Sequence, residues 1–194
     1  MARIRSFIGI EIDDGVRVAA ETVQNDLART GAQVKWVEPK NLHLTLVFLG
    51  DVHDRQLADL FVAVGQVAKT EPSFSLSVSG IGAFPTSRRP KVVWGGITTG
   101  AENLTRIHAA LEEPLTALGL YRREDRGYTP HLTLGRVSGE ESGALLSPEL
   151  PKFADWSGGT TPVTQLVVFG SELRRDGPEY TVLGRCPLKG KRRA

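Results

Sequence analysis

The chain has 194 residues, 40% of them apolar and 24% charged, and a formal net charge of +2. That length suits one domain, or two small lobes sharing a core, and is too short for two large independent domains. The balance argues against wholesale disorder and requires no polyanionic partner, and the single Cys excludes a disulfide framework and any Cys-based zinc or iron–sulfur site within the chain.

Residues 3–12 alternate and are rich in Ile and Phe, which predicts a strand. Asp13 and Asp14 offer N-caps to a helix over residues 15–30, stopped by Gly31. Its apolar positions Val16, Ala19, Ala20, Val23 and Leu27 follow the helical period. Residues 34–37 form a short strand broken by Pro39. Residues 42–49 form a strong one closed by Gly50. A second helix covers residues 54–69, with Leu57, Leu60, Phe61 and Val64 on one face. Residues 74–78 show the period-two pattern of a half-buried strand. Residues 80–90 are a turn-rich loop, and 91–98 another strand. A third helix spans 102–118, with Pro114 as a point of distortion. Residues 131–137 are a strand, 138–159 loop-rich, and 163–169 and 180–185 a final strand pair around the turn 174–178. Strands that follow one another without a helix favour antiparallel pairing, so the class is α+β rather than doubly wound.

The chain carries seven Lys and 17 Arg. Arg suits phosphate geometrically, although biased base composition is the blander cause of such an excess. Arg122, Arg123 and Arg126 cluster locally, as do Arg88, Arg89 and Lys91. Residues 189–194 read as a basic, frayed tail after a single unit over 1–188. The apolar start is short and contains Glu11, so it is not read as a signal peptide. No window approaches the roughly 18 apolar residues of a membrane span. The expectation is a cytoplasmic protein.

Four His are the first candidates for acid–base chemistry near neutral pH. Two of them stand in an internal echo. Asn41–Gly50 reads NLHLTLVFLG and Thr129–Ser138 reads TPHLTLGRVS, so His-Leu-Thr-Leu occurs twice, about half a chain apart. In a strand, His43 and Thr45 share one face and Leu42, Leu44 and Leu46 the other; His131 and Thr133 likewise oppose Leu132 and Leu134. The Leu faces require a core. If a pseudo-twofold axis relates the halves, the polar faces meet across a groove holding two imidazoles and two hydroxyls.

Such a pair can divide the work at a phosphodiester: a neutral imidazole takes a proton from water and a protonated one gives a proton to the leaving oxygen. The Thr hydroxyls donate to phosphate oxygens. No metal is needed, and a strained cyclic phosphate suits the arrangement best. A zinc site is the competing reading, but it needs three or four protein ligands. His53, in a turn, and His108, in mid-helix, read as structural or surface residues. Cys186 reads as a small apolar filler.

At these residues the sequence resembles the two-histidine phosphoesterase superfamily, in its RNA 2′,3′-cyclic phosphodiesterase (2′-5′ RNA ligase) branch. The doubled motif is accompanied by F-I-G-I near the start, W-V-x-P-x-N-L before the first motif, G-x-F-P with P-K-V-V-W-G-G at 82–96, Y-T-P before the second motif, and V-V-F-G-S-E-L at 167–173. The resemblance implies a bilobal α+β fold, with two antiparallel sheets facing across a central cleft and helices outside. It implies hydrolysis of 2′,3′-cyclic phosphates at RNA ends or on nucleotides to 2′-phosphates, with reversible 2′-5′ ligation as a companion activity. It implies His43 as proton donor to the leaving 3′-oxygen, His131 as the acceptor that activates water, and Thr45 and Thr133 as phosphate contacts. No metal or cofactor, no membrane and no obligate protein partner are implied, and the chain is expected to be a monomer. Residue patterns alone leave the acid and base unassigned, because two similar imidazoles titrate as a pair.

Phe48 and Arg136 lie five residues after each His. Strict alternation puts both on the Leu faces, but a bulge could return them to the groove. There Arg136 would pair with phosphate and Phe48 stack on a base; the alternative is Phe48 in the core and Arg136 in a surface ion pair. Trp94 reads as core, and loop 82–90 as lining the cleft mouth. Two other readings stand beside the leading one: an RNA-end-binding module without significant turnover, and a related esterase acting on small nucleotide metabolites.

Overall fold

The computed structural model describes residues 3–123, 127–174 and 177–191. Arg126 of the Arg cluster, the centre of the 174–178 turn and the end of the basic tail lie outside the described residues. The strands are β1 (Arg3–Glu11), β2 (Val34–Trp36), β3 (His43–His53), β4 (Phe74–Thr86), β5 (Arg89–Ile97), β6 (His131–Val137), β7 (Ser157–Val163), β8 (Gln165–Arg174) and β9 (Gly177–Pro187). The helices are α1 (Asp14–Ala28), α2 (Leu57–Thr70), α3 (Ala101–Ala117) and α4 (Gly139–Leu146).

All described strand pairs are antiparallel, in the order β7-β4-β5-β6-β3-β1-β8-β9, with β2 also on β6. The fold is α+β, as expected. Its two half-sheets, β7-β4-β5-β6 and β3-β1-β8-β9, meet at a single residue pair, Leu44 opposite Leu132.

Asp13 caps α1, its carboxylate accepting the Gly15 N–H at 3.1 Å. This satisfies one of the donors that a helix start leaves orphaned. The helices cover one sheet face: Val16, Ala20, Val23 and Leu27 of α1, Leu60 and Val64 of α2, and Leu104, Ile107, Leu111 and Leu115 of α3 join Leu42, Leu44, Leu46, Leu132 and Leu134 in one core. Each fully buried Leu or Ile stabilises that core by about 1.5–3 kcal/mol. A separate small cluster of Phe7, Val167 and Phe169 lies apart from it, flanked by Tyr180 and Val182. On β1 this splits Phe7 from Ile8 and Ile10 by strand alternation, so the small cluster marks the uncovered face.

Four expectations are corrected. Gly50, at φ 69°, does not close β3: Phe7 faces Phe48 and Ser6 faces Gly50, so Leu49 is bulged out and the strand continues to His53. The loop expected over 80–90 is the end of a long hairpin, with β4 running to Thr86 and β5 starting at Arg89. The loop-rich stretch 138–159 contains α4 and the start of β7. Gly158, Gly159 and Pro162 disguise β7 in sequence; as the outermost strand it has only β4 to pair with and tolerates them. The strand pair expected from residue 163 begins instead at Gln165, after β7 ends at Val163.

Candidate active site

The site is built on β3 and β6, where the two halves meet. Leu44 and Leu132 are wholly buried on the core side, so His43, Thr45, His131 and Thr133 lie on the opposite face. Antiparallel register at that pair runs His43 toward Thr133 and Thr45 toward His131. The echo in the sequence is thus a pseudo-twofold relation in space.

Each motif is followed by a bulge at the same position. On β1, Gly9 faces Thr45 and Ile8 faces Val47, leaving Leu46 extra; on β5, Trp94 faces Thr133 and Val93 faces Gly135, leaving Leu134 extra. An extra residue reverses the alternation beyond it. Leu46 and Val47 therefore both face the core, as do Leu134 and Gly135, and all four are buried. Phe48 and Arg136 return to the His/Thr face. Phe48 is 63% exposed, with its ring 6.1 Å from Phe7. Among the described residues no carboxylate lies within ion-pair distance of Arg136. The core and ion-pair alternatives for these two side chains are not what the structure shows.

The imidazoles are anchored alike. His43 Nδ1–H donates to the Asn41 carbonyl at 2.7 Å, and His131 Nδ1–H to the Thr129 carbonyl at 2.7 Å. Each partner is the residue two positions before the His. This leaves Nε2 on both rings as the atom free to take up and give a proton. His43 Nε2 meets the Thr45 hydroxyl at 3.0 Å. The strap before His43 is held by Arg17, which donates to the carbonyls of Pro39 and Leu42, and by Asn41, whose amide donates to the Pro178 carbonyl at 3.0 Å.

Aromatic rings wall both sites. Phe7 lies 4.6 Å and Tyr180 5.0 Å from His43 between ring centroids, with Phe169 stacked on Phe7 at 4.8 Å. Phe84 meets His131 edge-on at 5.0 Å, and Trp94 lies 6.4 Å away. Trp94, expected in the core, instead faces Thr133 across the sheet and lies over Gly82, where an added Cβ would come within 2.3 Å of its ring. Its Nε1–H is buried with no partner among the described residues.

Burial is the main influence on both imidazoles and pushes their pKa values below the ordinary histidine value. The Asn41 and Thr129 carbonyls work the other way, while Arg17 near His43 and Arg136 near His131 add to the depression. Arg136 also acts on Tyr180, whose hydroxyl is pushed up by burial. One cation in the β6 half thus acts on both His131 and Tyr180, the residue packed on His43.

His108 and His53 lie elsewhere. His108 stacks on Tyr128 at 4.2 Å, and its Nδ1–H donates to the Leu46 carbonyl at 2.9 Å. His53 ends β3, its N–H donating to the Gln56 side chain at 3.1 Å. Cys186 is buried within the main core. Sequence reasoning named the two motifs but passed over Phe7, Phe84, Phe169, Tyr180 and Arg17. The first three sit inside the F-I-G-I, G-x-F-P and V-V-F-G stretches, where a Phe within two residues of a Gly is the available signal.

The comparisons agree with this architecture. The sequence model of the LigT-like phosphoesterase family matches residues 10–94 and 97–180, each segment holding one His-x-Thr motif. An RNA 2′,3′-cyclic phosphodiesterase of Methanothermobacter thermautotrophicus is 34% identical over 179 residues, covering 92% of this chain and 96% of the relative. One of Archaeoglobus fulgidus is also 34% identical, covering 91% and 96%. Among solved structures, TT0787 of Thermus thermophilus superposes with a TM-score of 0.80 at 28% identity, covering 97% of this chain and 100% of that one. E. coli LigT complexed with 3′-AMP shares the fold, with a TM-score of 0.74 at 23% identity over 96% and 99% of the two chains. With the family match spanning both halves of the chain, and two relatives above 30% identity over nearly its whole length, this protein belongs to the LigT-like phosphoesterase family.

Proposed function

We propose that this chain hydrolyses 2′,3′-cyclic phosphodiesters at RNA 3′ ends or on nucleotides to 2′-phosphates, by metal-independent acid–base catalysis between two histidines. The observation that carries this is the matched anchoring of His43 and His131 through Nδ1, which commits both Nε2 atoms to one cleft face. The names of the relatives support the substrate class.

In this reading His131 Nε2 takes a proton from water as its oxygen forms a bond to phosphorus. The bond from phosphorus to the 3′-oxygen breaks, and protonated His43 gives its Nε2 proton to that oxygen. The products are a 2′-phosphate and a 3′-hydroxyl. Thr45 and Thr133 donate to the non-bridging oxygens; when His43 is protonated its Nε2–H faces the Thr45 hydroxyl oxygen, which leaves the Thr45 hydroxyl proton for the phosphate. Arg136 offsets charge on the phosphate, and Phe48 offers a face for a base to stack on. With a 5′-hydroxyl in place of water, the same displacement forms a 2′-5′ phosphodiester as the bond from phosphorus to the 3′-oxygen breaks, and the reverse cleavage back to the cyclic phosphate runs with the histidine roles reversed. Residues 1–188 act as one bilobal unit, as a monomer in the cytoplasm, with no cofactor and no obligate protein partner.

The test is turnover of a 2′,3′-cyclic nucleotide by the purified chain in EDTA, with product identification. Turnover to the 2′-phosphate, lost in His43→Ala and in His131→Ala, supports the reading. No turnover of any such ester, or full activity in either variant, defeats it; binding of a 2′-nucleotide without turnover would leave RNA-end binding in its place. Turnover confined to small metabolite esters would point to the related small-molecule esterases.

A further inference from the structure

We propose that Gln24 and His108 are a matched pair of positioning residues, each clamping the bulge that shapes one half of the site. The two bulged residues, Leu46 and Leu134, each sit three positions after a motif histidine. The carbonyl of each accepts a hydrogen bond from a helix side chain in the other half of the sequence. His108 of α3 donates from Nδ1 to Leu46 at 2.9 Å, and Gln24 of α1 donates from Nε2 to Leu134 at 2.8 Å. The helices correspond: α1 follows β1, which flanks β3, and α3 follows β5, which flanks β6. The pseudo-twofold relation that exchanges the motifs thus also exchanges their clamps, although a Gln and a His share no sequence signal.

Each clamp is reinforced. Gln24 also donates to the Val37 carbonyl at 2.9 Å, tying the segment after β2 to β6. His108 stacks flat on Tyr128, whose hydroxyl donates to the Thr45 carbonyl at 2.9 Å. Two consecutive carbonyls of the first motif, Thr45 and Leu46, are therefore held by side chains, along the edge where β3 pairs with β6 only through Leu44. Burial raises the Tyr128 phenol well above its ordinary pKa, so it stays a neutral donor.

The consequence reaches the cleft through backbone. A bulge is what lets residue five after the His share a face with the His and Thr. Losing the His108 bond to the Leu46 carbonyl loosens Phe48 and Thr45; losing Gln24 leaves the Leu134 carbonyl with its bond from the Val37 N–H at 2.9 Å and loosens Arg136 and Thr133. Neither clamp touches substrate. The inference rests on the hydrolytic reading for its kinetic readout and on the geometry alone for its structural one.

The test compares the full chain with His108→Leu, His108→Asn and Gln24→Met, measuring kcat and KM on a 2′,3′-cyclic nucleotide and backbone amide exchange by NMR. Asn keeps an N–H close to the place of Nδ1–H. His108→Leu and Gln24→Met should each lower kcat by about tenfold or more, the effect of loosening a positioned group. Exchange should quicken locally, at 45–48 in the first and 133–136 in the second, and His108→Asn should recover most of the lost kcat. Unchanged kcat and exchange in both apolar variants would overturn the proposal. So would a loss that Asn does not restore, with exchange quickened throughout the chain. If the wild-type chain turns over no cyclic ester, the hydrolytic reading falls, and the locality of the exchange changes alone decides the clamps.

Discussion

Leu44 lies directly opposite Leu132, and this one cross-strand pair joins the two half-sheets. Both side chains are 0% exposed, and each sits between the His and the Thr of its motif. The seam of the core and the centre of the site are therefore the same place, seen from opposite faces of the sheet.

That coincidence separates two kinds of core damage. Leu132→Ala should cost about 2–5 kcal/mol, as should Leu76→Ala on β4, which is equally buried. Only Leu132→Ala should also lower kcat when both proteins are assayed well below their melting temperatures. Equal kcat in the two variants would show that the seam does not set the spacing of the motifs.

The pH dependence follows from the direction of the imidazole shifts. Burial lowers both pKa values, yet catalysis needs one imidazole charged. The optimum of kcat/KM, which reports the free enzyme, should fall on the acid side of the ordinary histidine value of about 6.5, with two apparent pKa values belonging to the pair. Bound phosphate favours the charged form, so the kcat profile should lie to higher pH. Stability follows the same sign. The unfolded chain takes up protons more readily at these two residues, so their contribution is complete above about pH 6.5 and is lost as pH falls through that value toward the folded pKa values. A kcat/KM profile still rising above neutrality would contradict the arrangement.

The strands of the site and the pairing of the two motifs could be read from the repeated His-Leu-Thr-Leu, because alternation acts over two residues and needs no tertiary knowledge. The side of the sheet taken by Phe48 and Arg136 could not. It depends on the bulges at Leu46 and Leu134, which arise where β3 and β6 must follow β1 and β5 and which leave no local composition mark. Trp94 departs from its expected place for a related reason: a large aromatic ring in an apolar strand reads as core, and only its packing over Gly82 and pairing opposite Thr133 put it on the His/Thr face. His108 looked structural, and it is, but its partner is the backbone of the first motif.

Trp94 offers a prediction about His131. An added methyl at residue 82 would meet the Trp94 ring at 2.3 Å, so Gly82→Ala must displace it. Part of the apolar wall beside His131 would move away, weakening the desolvation that lowers its pKa. NMR titration of His131 should show its pKa rising toward the ordinary value while that of His43, walled by Phe7 and Tyr180, stays in place. Equal shifts at both rings would mean that the substitution had disturbed the whole cleft.

The two facing phenylalanines, Phe7 and Phe48, should behave in opposite ways. Phe7 is 3% exposed and packs on His43 and Phe169, so Phe7→Ala should cost about 3–5 kcal/mol and lower the melting temperature clearly. Phe48 is 63% exposed, so Phe48→Ala removes little buried area and should leave the melting temperature nearly unchanged. If Phe48 is a stacking face for a base, its loss should raise KM for a 2′,3′-cyclic nucleotide by about 1–3 kcal/mol in binding terms with a smaller effect on kcat. The histidines and their anchors remain in place, so the chemical step is preserved while a ground-state contact is lost. An unchanged KM together with an unchanged melting temperature would leave Phe48 without a part in substrate binding, and Arg136 as the nearer candidate for holding the RNA end.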